Sequence, residues 1–512
     1  MDYSKSVGLN PKYNTFDLSH DKRMTLKMGT IVPIMAIDCL PGDKFTIESS
    51  HMTRFLPLVA PVMHKVKVKV RYFFSPNRLV WSNWEDFITG PESLTDTVEP
   101  THPLLTVTSQ PSTLSDYLGV STSNNTNVSL NVNALPYAHY QYIWHEYFRD
   151  QNLQAENDYW KLGDGTQTGA KATNLPLLKN VAWQHDRFTS ALPFTQKGPE
   201  VTLPIINDNI SISFDWQGAD VVKRSTGNYP NSSPLESDGS AFLVGGGTFA
   251  SIDNTKNLYI GPDQFQSATV NQLREAFAIQ KWLELNARSG NRYTEHIQAH
   301  FGVKPQDARL QRPEEFGGST ATIQFSEVLQ TSQTDTTALG TLGGHGITAS
   351  GSRKASYYCQ EHGWIFALMY VVLDTGYYQG LPAKFSKTDR YDYFQPLLAH
   401  IGEQPVYNKE VYADGTLDDR ETFGYLPIYD EYRHEQNTVH GLMKKDTGSG
   451  GLEFWHLARK FSNRPSLNAT FIECKPDDRI FTVDGDEQII AHIYNDVKVG
   501  RKVPYYGTPL GL

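Results

Sequence analysis

Hydrophobic and polar positions alternate strictly from Lys65 to Tyr72. Val66, Val68, Val70 and Tyr72 fall on one face of a period-two strand, and Lys65, Lys67, Lys69 and Arg71 fall on the other. Such a strand either separates a packed core from something negatively charged or is an edge strand protected by its lysines. Residues 25–74 continue the β pattern: "TLKMGTIVPIMAI", a turn at "LPGD", "KFTIESS", and the long "VAPVMHKVKVKVRYFF" that stops at Pro76-Asn77. Short helical turns are expected at "NWEDFITG" and "TLSDYLGV", with Thr113 or Ser115 as N-cap of the second. Helical spacing at 135–153 puts Tyr140, Ile143, Trp144 and Tyr147 on one face. A clearer helix spans 270–290, capped by Thr269 and stopped by Gly290, with Leu273, Phe277 and Leu283, or Ala276, Ile279 and Leu283, facing inward. "GWIFALMYVVL" reads as a buried strand, and "RIFTVDGDEQIIAHIYNDVKV" as a hairpin turning at Asp-Gly.

Strands at both ends with helices between predict one antiparallel β-sandwich carrying excursions. Two long segments, 154–180 and roughly 206–266, are rich in Gly, Ser, Thr, Asn and Asp and read as functional surface or mobile loops. Composition agrees with a β-rich chain: of 512 residues only 20% are charged, while Phe, Trp and Tyr make 12%, with 39 Gly and 28 Pro. A net charge of −10 argues against a protein that coats nucleic acid over its whole surface, so any such contact needs a local basic face. Cys39, Cys359 and Cys474 are too few and too far apart for a disulfide framework or a zinc cluster, as suits a reducing cytosol. The start of the chain shows no hydrophobic signal region, and no apolar run approaches a membrane span, so a soluble protein made in the cytosol is expected.

Candidate chemistry is sparse. "HEYFRD" (145–150) lacks the second histidine of a zinc-protease helix and reads as a surface charge cluster. "VGGGTF" (244–249) lacks the Lys-Ser/Thr of a nucleotide loop, and Asp484 and Asp486 are explained by a hairpin turn. His296 and His300 share a helix face as a metal pair would, but no third ligand is near in sequence. No catalytic, cofactor-binding or metal residue is nominated, and the chain is not expected to be an enzyme.

Several blocks together resemble a known family. "FDLSHDKRMTLKMGTIVPI", "CLPGDKF", "YFFSPNRLVW", "DRFTSALPFTQKGPEVTLPI", "QLREAFAIQKWLELNARSGNRYTEHIQAHFGVKPQDARLQRPEEFGG" and "YDYFQPLLAHIGEQPV" are similar, in number and order, to the major capsid protein of the Microviridae, small tailless single-stranded-DNA bacteriophages. The long block after Gln272 points to the gokushovirus-like branch. That branch usually carries Tyr where this chain has Arg187, and 206–266 aligns with nothing in it.

The resemblance implies an eight-stranded antiparallel jelly roll with long, partly helical insertions, forming a single domain over 1–512. Residues 1–24 would be an N-terminal arm and 206–266 a variable surface insertion. It further implies a sixty-copy, T=1 icosahedral shell around a circular single-stranded DNA genome, found in the virion and assembled in the host bacterial cytoplasm. Implied partners are further copies of the chain, the packaged DNA, a small basic DNA-binding protein, other virion proteins and a host surface receptor. Neither a cofactor nor membrane insertion is implied. On this reading Lys65, Lys67, Lys69 and Arg71 are candidates to face DNA, and Trp81, Trp84, Tyr137, Trp144 and Trp282 to anchor subunit interfaces. Rival classes are a glycan-binding β-sandwich lectin or adhesin, and a glycoside hydrolase needing two facing carboxylates.

Overall fold

The structure, a computed structural model, describes residues 12–505 apart from 91–98, 109, 121–127, 200, 330–341 and 484–486; within 202–268 it describes only the backbone of short strand segments. The long strands are β1 (Asn14–Asp17), β2 (His20–Leu26), β3 (Val32–Cys39), β4 (Lys44–Phe55) and β5 (Val66–Pro76) near the start. They resume far downstream as β6 (Glu314–Thr322), β7 (Gln324–Leu329), β8 (Leu342–Gly351), β9 (Ala355–Tyr358), β10 (Gly363–Leu373) and β11 (Ile489–Arg501). All of their pairings are antiparallel. One sheet runs β3-β10-β5-β6. In the other, β11 lies between β4 and the N-terminal strands β1 and β2, while β8 and β9 take the far edge of β4 and β7 pairs outside β8. Only buried Ile323 separates β6 from β7, and its N–H donates to Val66 O at 2.9 Å, so the chain steps between sheets there.

The alternating strand follows its pattern. Val66, Val68, Val70 and Tyr72 are fully buried against the second sheet. Its position does not follow the edge-strand alternative: β5 is hydrogen-bonded on both sides, to β6 and β10, so its lysines guard no open edge. The expected strand through 25–37 is broken in two at Gly29, whose φ of +81° turns the chain. A Cβ there would lie 1.9 Å from the Cys474 carbonyl oxygen, so only glycine fits. The hairpin expected at 479–499 fails in its first arm. Arg479 turns inward to donate to the carbonyls of Glu453, His456 and Ala458, and β11 takes its partners from β2 and β4 instead. Asp484 and Asp486 lie outside the described residues.

Helix α1 (Leu135–Tyr147) was expected to be amphipathic, yet it is buried nearly all round. His139 Nδ1 sits 2.8 Å from Ser75 Oγ and its Nε2 3.0 Å from Asn77 Oδ1, joining the helix to the end of β5. Phe73 packs on Tyr147 at 4.9 Å and Tyr370 on Phe148 at 5.3 Å, so this region covers the face of β5 and β10 turned away from the second sheet. The "HEYFRD" segment is consequently no surface cluster, since His145 and Arg149 are both buried.

The chain divides into two compact units, 1–195 with 289–512, and 196–288. The second contains helix α2 (Val270–Ser289), capped by the Thr269 hydroxyl accepting from Gln272 N–H at 3.2 Å. Of the inward-facing residues expected for it, Ala276 is buried while Leu273, Phe277 and Ile279 are exposed. Helix α3 (Tyr293–Phe301) belongs to the first unit. Residues 1–11 of the expected arm lie outside the described residues, and 14–17 and 20–24 are strand. The 206–266 insertion lies outside them except for short backbone segments.

A buried polar network ties the two sheets together. Tyr72 Oη on β5 accepts from the Ser49 N–H of β4 at 3.0 Å and meets Ser352 Oγ at 2.6 Å. Ser49 Oγ donates to Asn495 Oδ1 of β11 at 2.7 Å, and Asn495 Nδ2 donates to Ile34 O of β3 at 3.1 Å. Every member is buried, and Ser49 N–H also donates to Ser352 Oγ at 2.8 Å, so loss of the Tyr72 hydroxyl removes its own bonds without orphaning Ser49. Tyr72→Phe should therefore destabilise the subunit by about 0.5–1.5 kcal/mol. Chemical denaturation of the two proteins measures this, and an unchanged midpoint would show that the network does not lock the sheets.

Candidate nucleic-acid interface

Lys67, Lys69 and Arg71 lie on one face of β5, with Lys65 just before its start, but the four are not electrostatically equal. Lys67 Nζ is 2.7 Å from Asp374 Oδ1 just past the end of β10, and Arg71 Nη1 is 3.3 Å from Glu315 Oε1 on β6. Lys65 is exposed, and no ion pair reaches its side chain among the described residues. Lys69 is half-buried; burial first, then repulsion from Arg71 and Lys67, lowers its pKa below the usual lysine value. Two of the four charges are thus compensated within the subunit, leaving Lys65 and Lys69 as the free positive charge of this face. The neighbouring side chains on β10, Leu368, Tyr370 and Val372, are buried and apolar, so the face is narrow.

Sequence reading missed Asp374 and Glu315, because each reaches its partner only through the sheet pairing; Lys67 and Asp374 are 307 positions apart. Beside this face a cavity of ≈ 440 Å³ is lined by Lys67, Asp374, Arg187 and Asp430 among others. Arg187 is buried and paired twice: Nη2 to Glu410 Oε2 at 2.9 Å and Nη1 to Asp430 Oδ2 at 3.0 Å. Burial raises the Glu410 pKa above the ordinary glutamate value, and Arg187 opposes that rise. The triad sits beside a small second core that includes Phe188, Val406, Phe423 and Phe471, beneath the excursion between β10 and β11.

The candidate interface aromatics divide. Trp81 is fully buried and donates through Nε1 to Asp164 Oδ1 at 2.8 Å, and Tyr137 Oη donates to Ser115 Oγ at 3.1 Å. Trp144 Nε1 donates to Asn180 O at 3.1 Å and is likewise buried. These three anchor the subunit's own core and present no lateral surface. Trp84 is partly buried against Trp81, and Trp282 is half exposed on α2. The large apolar side chains that do stand exposed include Phe385, Tyr391, Tyr393, Phe394, Leu397 and Ile401, within one excursion after β10.

The rings of His296 and His300 lie 4.2 Å apart, tilted by 36°, but no cluster of three residues able to hold a metal ion occurs among the described residues. No helix among them is long and apolar enough to cross a membrane.

A model of the family described as "Capsid protein (F protein)" matches residues 9–510. The chain belongs to the capsid protein (F protein) family. The capsid protein VP1 of Chlamydia phage 1 is 32% identical over 97% of this chain and 95% of the relative. That of Bdellovibrio phage phiMH2K is 33% identical over 96% and 94%, and that of Spiroplasma virus 4 is 27% identical over 99% and 97%. The resemblance drawn from the sequence blocks to the gokushovirus-like Microviridae is borne out. This capsid protein is a structural subunit of a phage virion that assembles with further copies into a shell, and not an enzyme.

Removing Arg187 would strand two buried carboxylates. Arg187→Met should cost about 3–5 kcal/mol at neutral pH. With its cation gone, the folded-state Glu410 pKa rises further above the unfolded value, so the deficit is largest where the carboxylate is charged and shrinks as pH falls toward the ordinary glutamate range. Unfolding of both proteins at neutral and mildly acidic pH checks the sign; a deficit that grows with acidity contradicts it.

Proposed function

We propose that this capsid protein forms a sixty-copy, T=1 icosahedral shell around a circular single-stranded DNA genome, and that its two main sheets are the eight strands of a viral jelly roll. Strand order supports the fold. Taking β7 to β9 as one interrupted sixth strand, the sheets read first-eighth-third-sixth (β2, β11, β4, β8 with β9) and second-seventh-fourth-fifth (β3, β10, β5, β6). Successive strands then alternate between sheets through most of the chain, as in a double Greek key. The long excursions fall in two places, between β5 and β6 and between β10 and β11, leaving the sandwich intact.

The observation that carries the function is a family match spanning nearly the whole chain, residues 9–510. The exposed apolar excursion from Phe385 to Ile401 supplies a lateral surface of the kind a shell subunit must cover with its neighbours. Lys65 and Lys69 face the packaged DNA and make phosphate contacts without sequence preference. Two free charges per copy on a chain of net charge −10 cannot neutralise a genome, so a separate small basic DNA-binding protein completes the interior, with other virion proteins. Insertion 206–266 is the segment that contacts a host receptor, and assembly takes place in the host bacterial cytoplasm.

Electron microscopy with light scattering on the protein, expressed alone and with the neighbouring phage genes, tests the shell. Closed, uniform particles are expected in at least one condition; a persistent monomer in both contradicts it. In particles that form, Lys65→Glu with Lys69→Glu should lower DNA content and flatten the salt dependence of DNA binding by about 1.4 in log–log slope, for two contacts at ~0.7 each. Reversal of Lys67 and Arg71 should instead weaken the fold more than DNA binding.

A further inference from the structure

At the C-terminal end of α1 a cavity of ≈ 640 Å³ opens between the residues after the helix, the start of α3 and the turn before β6. Its lining is polar and basic, with Arg149, Arg292 and Arg312 against Glu146 and Glu156, one positive charge in excess. Two of the arginines are fully engaged as scaffolding. Arg292 Nη2 donates to the carbonyls of His145 and Arg149 at 3.1 and 3.0 Å while its Nη1 pairs with Glu295 at 3.1 Å. Arg312 lies over the Tyr147 ring at 4.5 Å and donates to Thr294 Oγ1 at 3.0 Å.

Arg149 differs. It is 8% exposed, its Nη1 donates to Gln154 O at 2.9 Å, and no carboxylate pairs with it among the described residues. A guanidinium this buried normally has a partner, because an uncompensated buried charge is costly. Around it lie further unsatisfied groups. Arg149 Nε and both polar atoms of the Gln151 amide have no hydrogen-bond partner, and neither does His145 Nδ1, which donates in one of its two tautomers; Arg312 Nε, by contrast, lies 3.4 Å from Asp307 Oδ1. Unpaired donors therefore outnumber the single unpaired acceptor, Gln151 Oε1. The group that answers this surplus is acceptor-only and rich in oxygens. A carboxylate offers two oxygens; a phosphate offers more and matches the planar arginine fork equally well.

We propose that this cavity binds a phosphate group, held chiefly by Arg149 with Gln151 and His145, as free phosphate or as a phosphate of the DNA backbone. Its volume exceeds what one phosphate needs and leaves room for an attached sugar or base beside Tyr293, which is 67% exposed at the cavity wall. The DNA source rests on the packaging role proposed above, whereas binding of inorganic phosphate does not, so the two can fail separately.

Isothermal titration calorimetry on the purified full-length chain tests the site, with inorganic phosphate in one arm and a short oligodeoxynucleotide in the other. Saturable phosphate binding is expected, weakened at least ~10-fold by Arg149→Gln and several-fold by Gln151→Ala. If Arg149→Gln fails to fold, judged by circular dichroism, Gln151→Ala carries the comparison. Loss of oligonucleotide binding in step with phosphate identifies the DNA backbone as the source; oligonucleotide binding that the substitutions leave intact identifies free phosphate. No saturable phosphate binding to the unmodified chain, or binding that neither substitution changes, overturns the proposal. So does an assembled shell in which a neighbouring copy's carboxylate occupies Arg149.

Discussion

Two adjacent strands, β5 and β10, are covered on both of their faces, and the rest of the subunit is arranged to achieve this. On one side the valines of β5 meet the second sheet, each contributing roughly 1.5–3 kcal/mol by leaving water. On the other, α1 and Phe148 close over Phe73 and Tyr370. Burying a sheet on both sides removes any place to put unpaired polar groups. The polar groups inside are accordingly gathered into closed sets: Tyr72 with Ser49, Ser352 and Asn495 between the sheets, and His139 with Ser75 and Asn77 beneath the helix.

The same constraint governs the basic face. Where β5 runs under α1 its outward residues are aromatic or neutral, Phe73 and Ser75; where it emerges they are basic. There the neighbouring strand ends supply Asp374 and Glu315, so half of the positive charge is spent holding the sheet together. A strand that looks in sequence like a uniform cationic ribbon is thus a structural strand with two free charges, Lys65 just before its start and Lys69 between the paired Lys67 and Arg71. For a subunit of net charge −10, the DNA contact proposed for this face is therefore expected to be modest and salt-sensitive.

What could be read from sequence was local and periodic. The strict alternation at 65–72, the apolar run at 363–373 and the Thr269 cap each produced the element expected of them. Errors arose where long-range pairing overrode a local rule. Asp-Gly at 484–485 suggested a hairpin, but β11 has two long partners elsewhere, and Arg479 is better satisfied by three carbonyls than it would be in a strand. The residues after α1 looked like a charged surface because His, Glu, Arg and Asp usually are exposed; nothing local signals that Arg292, more than a hundred positions away, covers them. Arg187 was visible as an odd residue, while its compensating Glu410 and Asp430 became visible only in three dimensions.

The orientation of β5 in the assembled particle tests the account most directly. Electron cryo-microscopy of the shell, at a resolution that traces side chains, would place Lys65 and Lys69 relative to the enclosed genome. Both ammonium groups are expected at the luminal surface, within hydrogen-bond or single-water reach of nucleic-acid density, with Lys67 and Arg71 still on Asp374 and Glu315. A particle in which a neighbouring copy buries Lys65 and Lys69, or in which they point outward, would contradict it.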